Sequence, residues 1–258
     1  MAIFSNEFLH RVSAGKIKGA SIVRKFGQAD INTSFQVITD DNQYRTPTTA
    51  TPLRVRGHST DVEPNVGAWS ILVEGLGADW RPLSEIVVLD GANYVDLVNP
   101  FTRLFRISIV SSGSYGGTNI SSHTGTIQIR EQGNSTLWGT IRNYEGLGIG
   151  TSLVGAYTIP KGFNGHLIRS MHTVEDNRAV DLSYFIREGA DIITPPYSPV
   201  KALDLYRTTA TDMANVPRGL STEFHGPCDI MAMARISDVL GGTAKISVGF
   251  DLLLLDQC

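Results

Sequence analysis

Residues 69–110 read WSILVEGLGADWRPLSEIVVLDGANYVDLVNPFTRLFRISIV, and their pattern decides the fold class. Three apolar runs of strand length, at 69–73, 85–89 and 104–110, are separated by turn-forming residues and by no helical segment. In the last run Phe105, Ile107 and Ile109 alternate with Arg106 and Ser108, the period-2 signature of a strand with one buried face. In the middle run Val87 and Leu89 fall on one face and Ile86 and Val88 on the other. Both faces are apolar, which predicts a strand buried on both sides within a sheet-on-sheet core.

Working outward, the same grammar continues. Glycine supplies 26 of 258 residues, about a tenth, against a usual level of about 7%. Charged residues make up 18%, below the typical ~25%. Frequent turns and little charged helix surface point to an all-β chain, long enough for two antiparallel β-sandwich (jelly-roll-like) units. The expected organisation is an extended N-terminal arm and entry strand at 1–43, then a first sandwich at 44–131. A glycine-rich linker at 132–152 and a second sandwich at 153–258 complete it. In the arm, residues 22–26 form a brief strand that Gly27 breaks, and Asp40, Asp41 and Asn42 mark a turn. The final run, with Ile246, Val248, Phe250, Leu252 and Leu254 on one face, belongs in the middle of a sheet. Residues 189–219, with Pro195, Pro196, Pro199 and Pro217, are too long for an ordinary connection and read as a contact surface.

Charge and chemistry exclude several function classes. Net charge is −3 and the pI about 6.1. The densest basic cluster (Lys16, Lys18, Arg24, Lys25) is too short for the phosphate-neutralising stripe of a nucleic-acid binder. No run of 18 apolar residues predicts a membrane span. The N-terminal MAIFSNEFLHRVSAGKIKG lacks an apolar signal core, so synthesis and folding in the cytoplasm are expected. Cys228 and Cys258 make no disulfide framework; a reduced, inert thiol and an intermolecular bridge are the two readings of them.

No catalytic, metal or cofactor constellation emerges. The six histidines are scattered; His166 and His172 share strand parity but stand about 20 Å apart at ~3.3 Å per residue, too far for one metal. SSGSYGG (111–117) holds no GxSxG, and GLGIG (146–150) matches neither dinucleotide nor phosphate-loop spacing. Asp90, Asn93 and Asp96 imitate a calcium loop but lack its glycine and closing glutamate, so a hairpin turn is the reading preferred. Trp80, Trp138 and Tyr115 are candidates for a sugar-stacking platform.

A series of spaced strand motifs carries a resemblance. RKFGQADINTSFQVITDDNQYRTPTTATPLRV, ILVEGLGADWRPLSEIVVLDG, NPFTRLFRISIVSSGSYGGTNISSHTGTIQIR, AYTIPKGFNGHLI and GPCDIMAMARISDVLGGTAKISVGFDLLLLD resemble a group of tailed-bacteriophage virion proteins. The resemblance spans residues 22–256. It implies a non-enzymatic structural component of the virion, used in capsid decoration, a head fibre, a neck or collar, or a tail accessory. It brings no functional residues.

The expected partners are therefore other virion proteins (capsid, portal or neck, tail) and further copies of the chain, with no nucleic acid, membrane or cofactor. Phe26, Phe35 and Tyr44 in the arm, with Trp80, Tyr94 and Tyr197 in loops, are the expected contact residues, because aromatic anchors dominate interfaces. A carbohydrate-binding adsorption module for a host glycan is the alternative of a different class; a glycoside hydrolase ranks last.

Overall fold

The computed structural model of the chain describes residues 5–114, 122–144, 147–175, 178–208, 214–217, 222–238 and 242–257. One short helix, α1 (Asn6–Ser13), is capped by the Ser5 hydroxyl, which accepts the Phe8 N–H at 3.1 Å. Strands follow: β1 (Ala20–Ile31), β2 (Gln36–Val37), β3 (Leu53–Arg56), β4 (Ala68–Leu76), β5 (Pro82–Val88), β6 (Val95–Asp96) and β7 (Arg103–Ser112). Next come β8 (Ile127–Glu131), β9 (Leu137–Ile141), β10 (Asn143–Tyr144), β11 (Leu147–Gly148), β12 (Ala156–Ile159) and β13 (Phe163–Val174). The last are β14 (Val180–Glu188), β15 (Lys201–Thr208), β16 (Ala214–Pro217), β17 (Glu223–His225), β18 (Cys228–Ile236) and β19 (Ala244–Asp256). The fold is all-β, and among the described residues every strand pairing is antiparallel.

Two compact units divide the chain, residues 43–153 and residues 1–42 with 154–258. In the 43–153 unit, β6-β3-β8-β9 form one sheet and β5-β4-β7 another, beside the small β10-β11 pair. One core cluster draws on both larger sheets: Leu53, Val55, Ile127, Ile129 and Trp138 from the first, Ile71, Val73, Val87 and Ile107 from the second. Each buried aliphatic chain there contributes about 1.5–3 kcal/mol. Residues 137–141, expected in a linker, are instead β9 in this sheet. The sequence hides it because Gly139 and Thr140 interrupt its apolar run, and Gly139 lies under the Leu104 and Ile107 side chains.

The other unit holds β1-β19-β13 in one sheet, with β16 and β17 along the far edge of β13. Its second sheet runs β12-β18-β14-β15, with β2 also on β18. Tyr184 of β14 meets Phe250 of β19 edge-on at 5.8 Å. His172 of β13 faces Tyr206 of β15 at 6.2 Å. β19 sits between β1 and β13, as its two-sided apolar pattern predicts.

The N-terminal region is no extended arm. β1 pairs with β19 from Ala20↔Leu255 to Ile31↔Ala244 without a break at Gly27. Its buried positions are Lys25, Gly27, Ala29 and Ile31, so no apolar alternation announces the strand. Gly27 permits it: a Cβ there would lie 2.2 Å from the Ile38 carbonyl oxygen and 2.3 Å from the Gly155 nitrogen. The chain leaves this unit beside the point where it returns. Thr39 and Val154 form an antiparallel bridge, and the Gly155 N–H donates to the Ile38 carbonyl at 2.8 Å.

Candidate assembly surface

β4 is the middle strand of the β5-β4-β7 sheet, and its register sorts the sheet's side chains into two faces. Ile71↔Val87, Val73↔Glu85, Ile71↔Ile109 and Val73↔Ile107 stand opposite each other on the core side. Leu72↔Ile86, Ser70↔Val88 and Leu72↔Ser108 stand on the other. Ile86 is 62% exposed and Val88 66%. The strand expected to be buried on both faces is thus buried on one: among the described residues nothing in its own unit covers Ile86 and Val88 on the second. Val110, displaced by a bulge between the Ser70↔Ser111 and Ile71↔Ile109 pairs, adds a third exposed aliphatic chain.

β5 is also an edge. The Leu89 N–H donates to the Trp69 carbonyl at 2.8 Å, so odd-numbered residues of β5 bond to β4 and the backbone groups of Ser84, Ile86 and Val88 point away from the sheet. Among the described residues no backbone bond reaches that edge. No charge guards it, since Glu85, the one charged residue of β5, turns its carboxylate to the Val98 and Asn99 N–H groups at 2.7 and 3.0 Å. Monomeric proteins blunt such edges with charge, proline or cover; here only Pro82 does so, at the first position.

Exposed apolar residues cluster in the other unit too. Ile192, Ile193, Tyr197 and Val200 lie in the segment before β15, and Leu205 stands out from β15, an edge strand. This falls within the 189–219 excursion; residues 209–213 and 218–219 of it lie outside the described residues.

The six expected contact aromatics are not gathered into one place. Phe26 is exposed on β1, and Tyr197 is exposed before β15. Phe35 stacks edge-on against Phe185 at 5.6 Å, with the Arg235 guanidinium 4.8 Å from its ring. Tyr44 is half-buried. Tyr94 is partly exposed, with the Arg54 guanidinium 4.0 Å from its ring centre. Trp80 is buried, contrary to the loop-platform expectation, with fully buried Arg103 4.7 Å from its ring. Arg103 donates to the Pro47 and Thr102 carbonyls at 3.2 and 2.7 Å. That packing explains why GLGADWRP is a folded turn: Gly75 lies so close to the Arg103 carbonyl that a Cβ would stand 2.0 Å from its oxygen. Trp138 is buried, its indole N–H donating to Glu131 at 3.0 Å. Tyr115 lies outside the described residues.

Sequence reasoning missed the buried polar groups. Asp61 is fully buried, and its carboxylate accepts the His58 and Ala68 N–H groups at 2.7 and 3.0 Å, which ties the 57–68 loop to the body. His123, His166 and His172 are buried. Burial lowers the pKa of all three, and the nearby Asp61 carboxylate opposes the shift at His123. His166 and His172 do not share a face. A bulge between Leu167 and Arg169 sets His166 opposite Leu253 and His172 opposite Val248, residues of unlike parity on β19. Asp90 and Asn93 bond to each other at 3.1 Å as a turn. Among the described residues no three His, Cys, Asp or Glu side chains converge, and no helix is long and apolar enough to cross a membrane. Cys228 is a buried free thiol whose pKa burial pushes far up; Cys258 lies outside the described residues.

No protein-family model and no curated protein matches the chain. Among solved structures, that of the infectious bursal disease virus Gx strain aligns at 9% identity over 92% of this chain and 77% of that one, with a TM-score of 0.23. Particles of T=1 size derived from infectious bursal virus align at 8% identity over 93% and 70%, TM-score 0.23. The VP2 subviral particle of infectious bursal disease virus aligns at 7% identity over 92% and 77%, TM-score 0.18. TM-scores this low do not establish a shared fold.

Proposed function

We propose that the chain is a non-enzymatic structural component of a virion, of the tailed-bacteriophage kind its strand motifs resemble. It assembles in several copies on a capsid, neck or tail, and its place of action is the particle. The observation that carries the assembly reading is the outer face of β5-β4-β7, where Ile86, Val88 and Val110 stand in solvent beside an unguarded strand edge. An uncovered apolar face with free backbone donors and acceptors is what a neighbouring subunit completes, and barely what a monomer tolerates.

The strand order supports the same reading. Counting β2 with β12 as one interrupted strand, and β16 with β17 as another, the described residues of the 1–42/154–258 unit make eight strand positions. One sheet then runs 1-8-3-6 and the other 2-7-4-5, the order of a jelly roll. We infer that this unit is a jelly-roll sandwich and that residues 43–153 are a second, smaller sandwich inserted within its second strand. Jelly rolls serve viral capsids, lectins and cupins alike, so the fold narrows the class and the surface selects within it. With β1 laid into the sheet, attachment passes from an N-terminal arm to the exposed edges. The sugar-platform alternative loses both of its tryptophans to the core.

Quantitative mass spectrometry of gradient-purified particles tests the proposal. Several copies per particle, retained through high-salt washing, are expected. Absence of the chain from infectious particles in cells that express it abundantly would overturn it.

A further inference from the structure

The second outer face of the 43–153 unit belongs to the β6-β3-β8-β9 sheet, and its chemistry is opposite. Val55 and Ile129 point to the core. The alternate residues Arg54 and Arg130 stand directly opposite each other on the outside, as do Arg56 and Gln128. Like charges directly opposite in a sheet destabilise it. Among the described residues none of the three arginines forms an ion pair, although Asp96 sits opposite Arg54 on β6. Neutral groups hold them instead. Arg54 donates to the Asn134 carbonyl at 3.0 Å, Arg130 to the Gln128 amide oxygen at 3.2 Å and to the Ser135 carbonyl, and Arg56 to the same Gln128 oxygen at 3.5 Å. The Arg54 and Arg56 guanidinium groups lie 4.0 and 5.1 Å from the Tyr94 ring centre. The Arg54 Nε is buried with no hydrogen-bond partner. In the other unit arginines meet buried carboxylates: Asp181 takes Arg207 and Arg235, and Asp251 takes Arg24 and Arg169.

We propose that this face docks an extended acidic segment of a protein partner, whose carboxylates pair with Arg54, Arg56 and Arg130. The geometry selects a polypeptide. Arg54 and Arg56 are two residues apart on one strand, so their spacing of about 6.7 Å repeats that of side chains i and i+2 on an extended peptide. An Asp/Glu-x-Asp/Glu stretch therefore presents carboxylates in step with the arginines, each able to form a two-pronged guanidinium pair. Nucleic acid and sugar are disfavoured because both stack on open aromatic faces, and here two guanidinium groups crowd the Tyr94 ring. The inference goes beyond the assembly reading: it holds for a free peptide in solution whether or not the chain belongs to a particle.

The test is fluorescence anisotropy with the intact chain and a labelled Glu-Ser-Glu-Ser-Glu peptide at low salt. The peptide is expected to bind, to weaken at least tenfold as salt rises into the molar range where screening is nearly complete, and to be lost with Gln in place of Glu. Arg54→Gln with Arg130→Gln is expected to weaken binding at least tenfold while leaving the circular dichroism spectrum unchanged. Arg81→Gln, outside the face, is expected to leave affinity unchanged. A polyuronate and a thymidine oligonucleotide are run alongside. No peptide binding, peptide binding indifferent to the double substitution, or tighter arginine-dependent binding of the polyuronate or oligonucleotide each overturns the proposal.

Discussion

The two outer faces of the 43–153 unit are made by the same device and carry opposite chemistry. On both, alternation sends aliphatic residues into one shared core. On β5-β4-β7 the residues sent outward are Ile86, Val88 and Val110; on β6-β3-β8-β9 they are Arg54, Arg56 and Arg130. Neither choice stabilises the isolated unit. Exposed isoleucine and valine contribute no burial, and facing arginines repel. A face that does nothing for its own fold is free to serve a contact, and the two proposed contacts differ accordingly: dry and edge-to-edge on one side, charge-paired on the other.

The comparison breaks most sharply across β5-β4-β7 itself. Ile71→Ala, on the core side, is expected to cost about 2–5 kcal/mol in urea denaturation, because it empties a fully packed site. Ile86→Ala, a few ångströms away on the outer face, is expected to change stability by less than about 0.5 kcal/mol. Equal losses at the two positions would mean that the outer face is covered within the chain.

Acid tests the interiors behind the faces next, where His123 of the 43–153 unit and His166 and His172 of the other unit are buried. His123, His166 and His172 have folded pKa values below the ordinary 6.5. The unfolded chain therefore binds more protons below about pH 6.5, and stability falls as pH drops through and below that value. Thermal midpoints are expected to decline from pH 7.5 to pH 5.5, and His172→Phe to flatten the decline. Peptide binding at the arginine face is expected to hold over the same interval while fold is retained. A flat midpoint across that interval would contradict the buried, neutral histidines.

Much of this fold was legible in the sequence, and what was not has identifiable causes. The strands of 69–110 and β19 announce themselves because their buried positions are aliphatic. β1 does not, because it buries Lys25, Gly27 and Ala29, positions defined by close backbone approach rather than by hydrophobicity. Ile86 and Val88 misled for the reverse reason: apolar residues on both faces of a strand suggest burial on both, and here one of the two faces stands in solvent. A one-residue bulge in β13 undoes every parity argument beyond it, which separated His166 from His172. The arginine face was invisible for a topological reason. Arg54 and Arg130 lie 76 positions apart, and only the β3-β8 register, in which Arg54↔Arg130 is a pair, makes them neighbours.

Assembly is the next test of the apolar face. Ile86→Lys with Val88→Lys places two like charges on the free edge of β5, the means by which natural edge strands avoid partners. The double variant is expected to stay folded, with a stability change near 0.5 kcal/mol or less. Its sedimentation is expected to shift toward monomer, and its copy number in particles to fall. Unchanged incorporation would move the contact to another surface, with the β15 edge around Leu205 next in order.

The smallest effect is the most diagnostic of the arginine face. If Arg130 opposes Arg54 without compensation, removing one charge should relieve the pair and not injure it. Arg130→Gln keeps an amide able to donate to the Ser135 carbonyl and is expected to raise the unfolding free energy by a few tenths of a kcal/mol at low ionic strength. The gain should vanish near 1 M salt, where the screening length falls to about 3 Å. A conventional surface arginine, solvated and indifferent, would show no such salt-dependent gain. A residue whose removal improves the fold but abolishes peptide binding is retained for its contact, and a loss of stability at every ionic strength would instead make Arg130 a structural brace for the 131–136 turn.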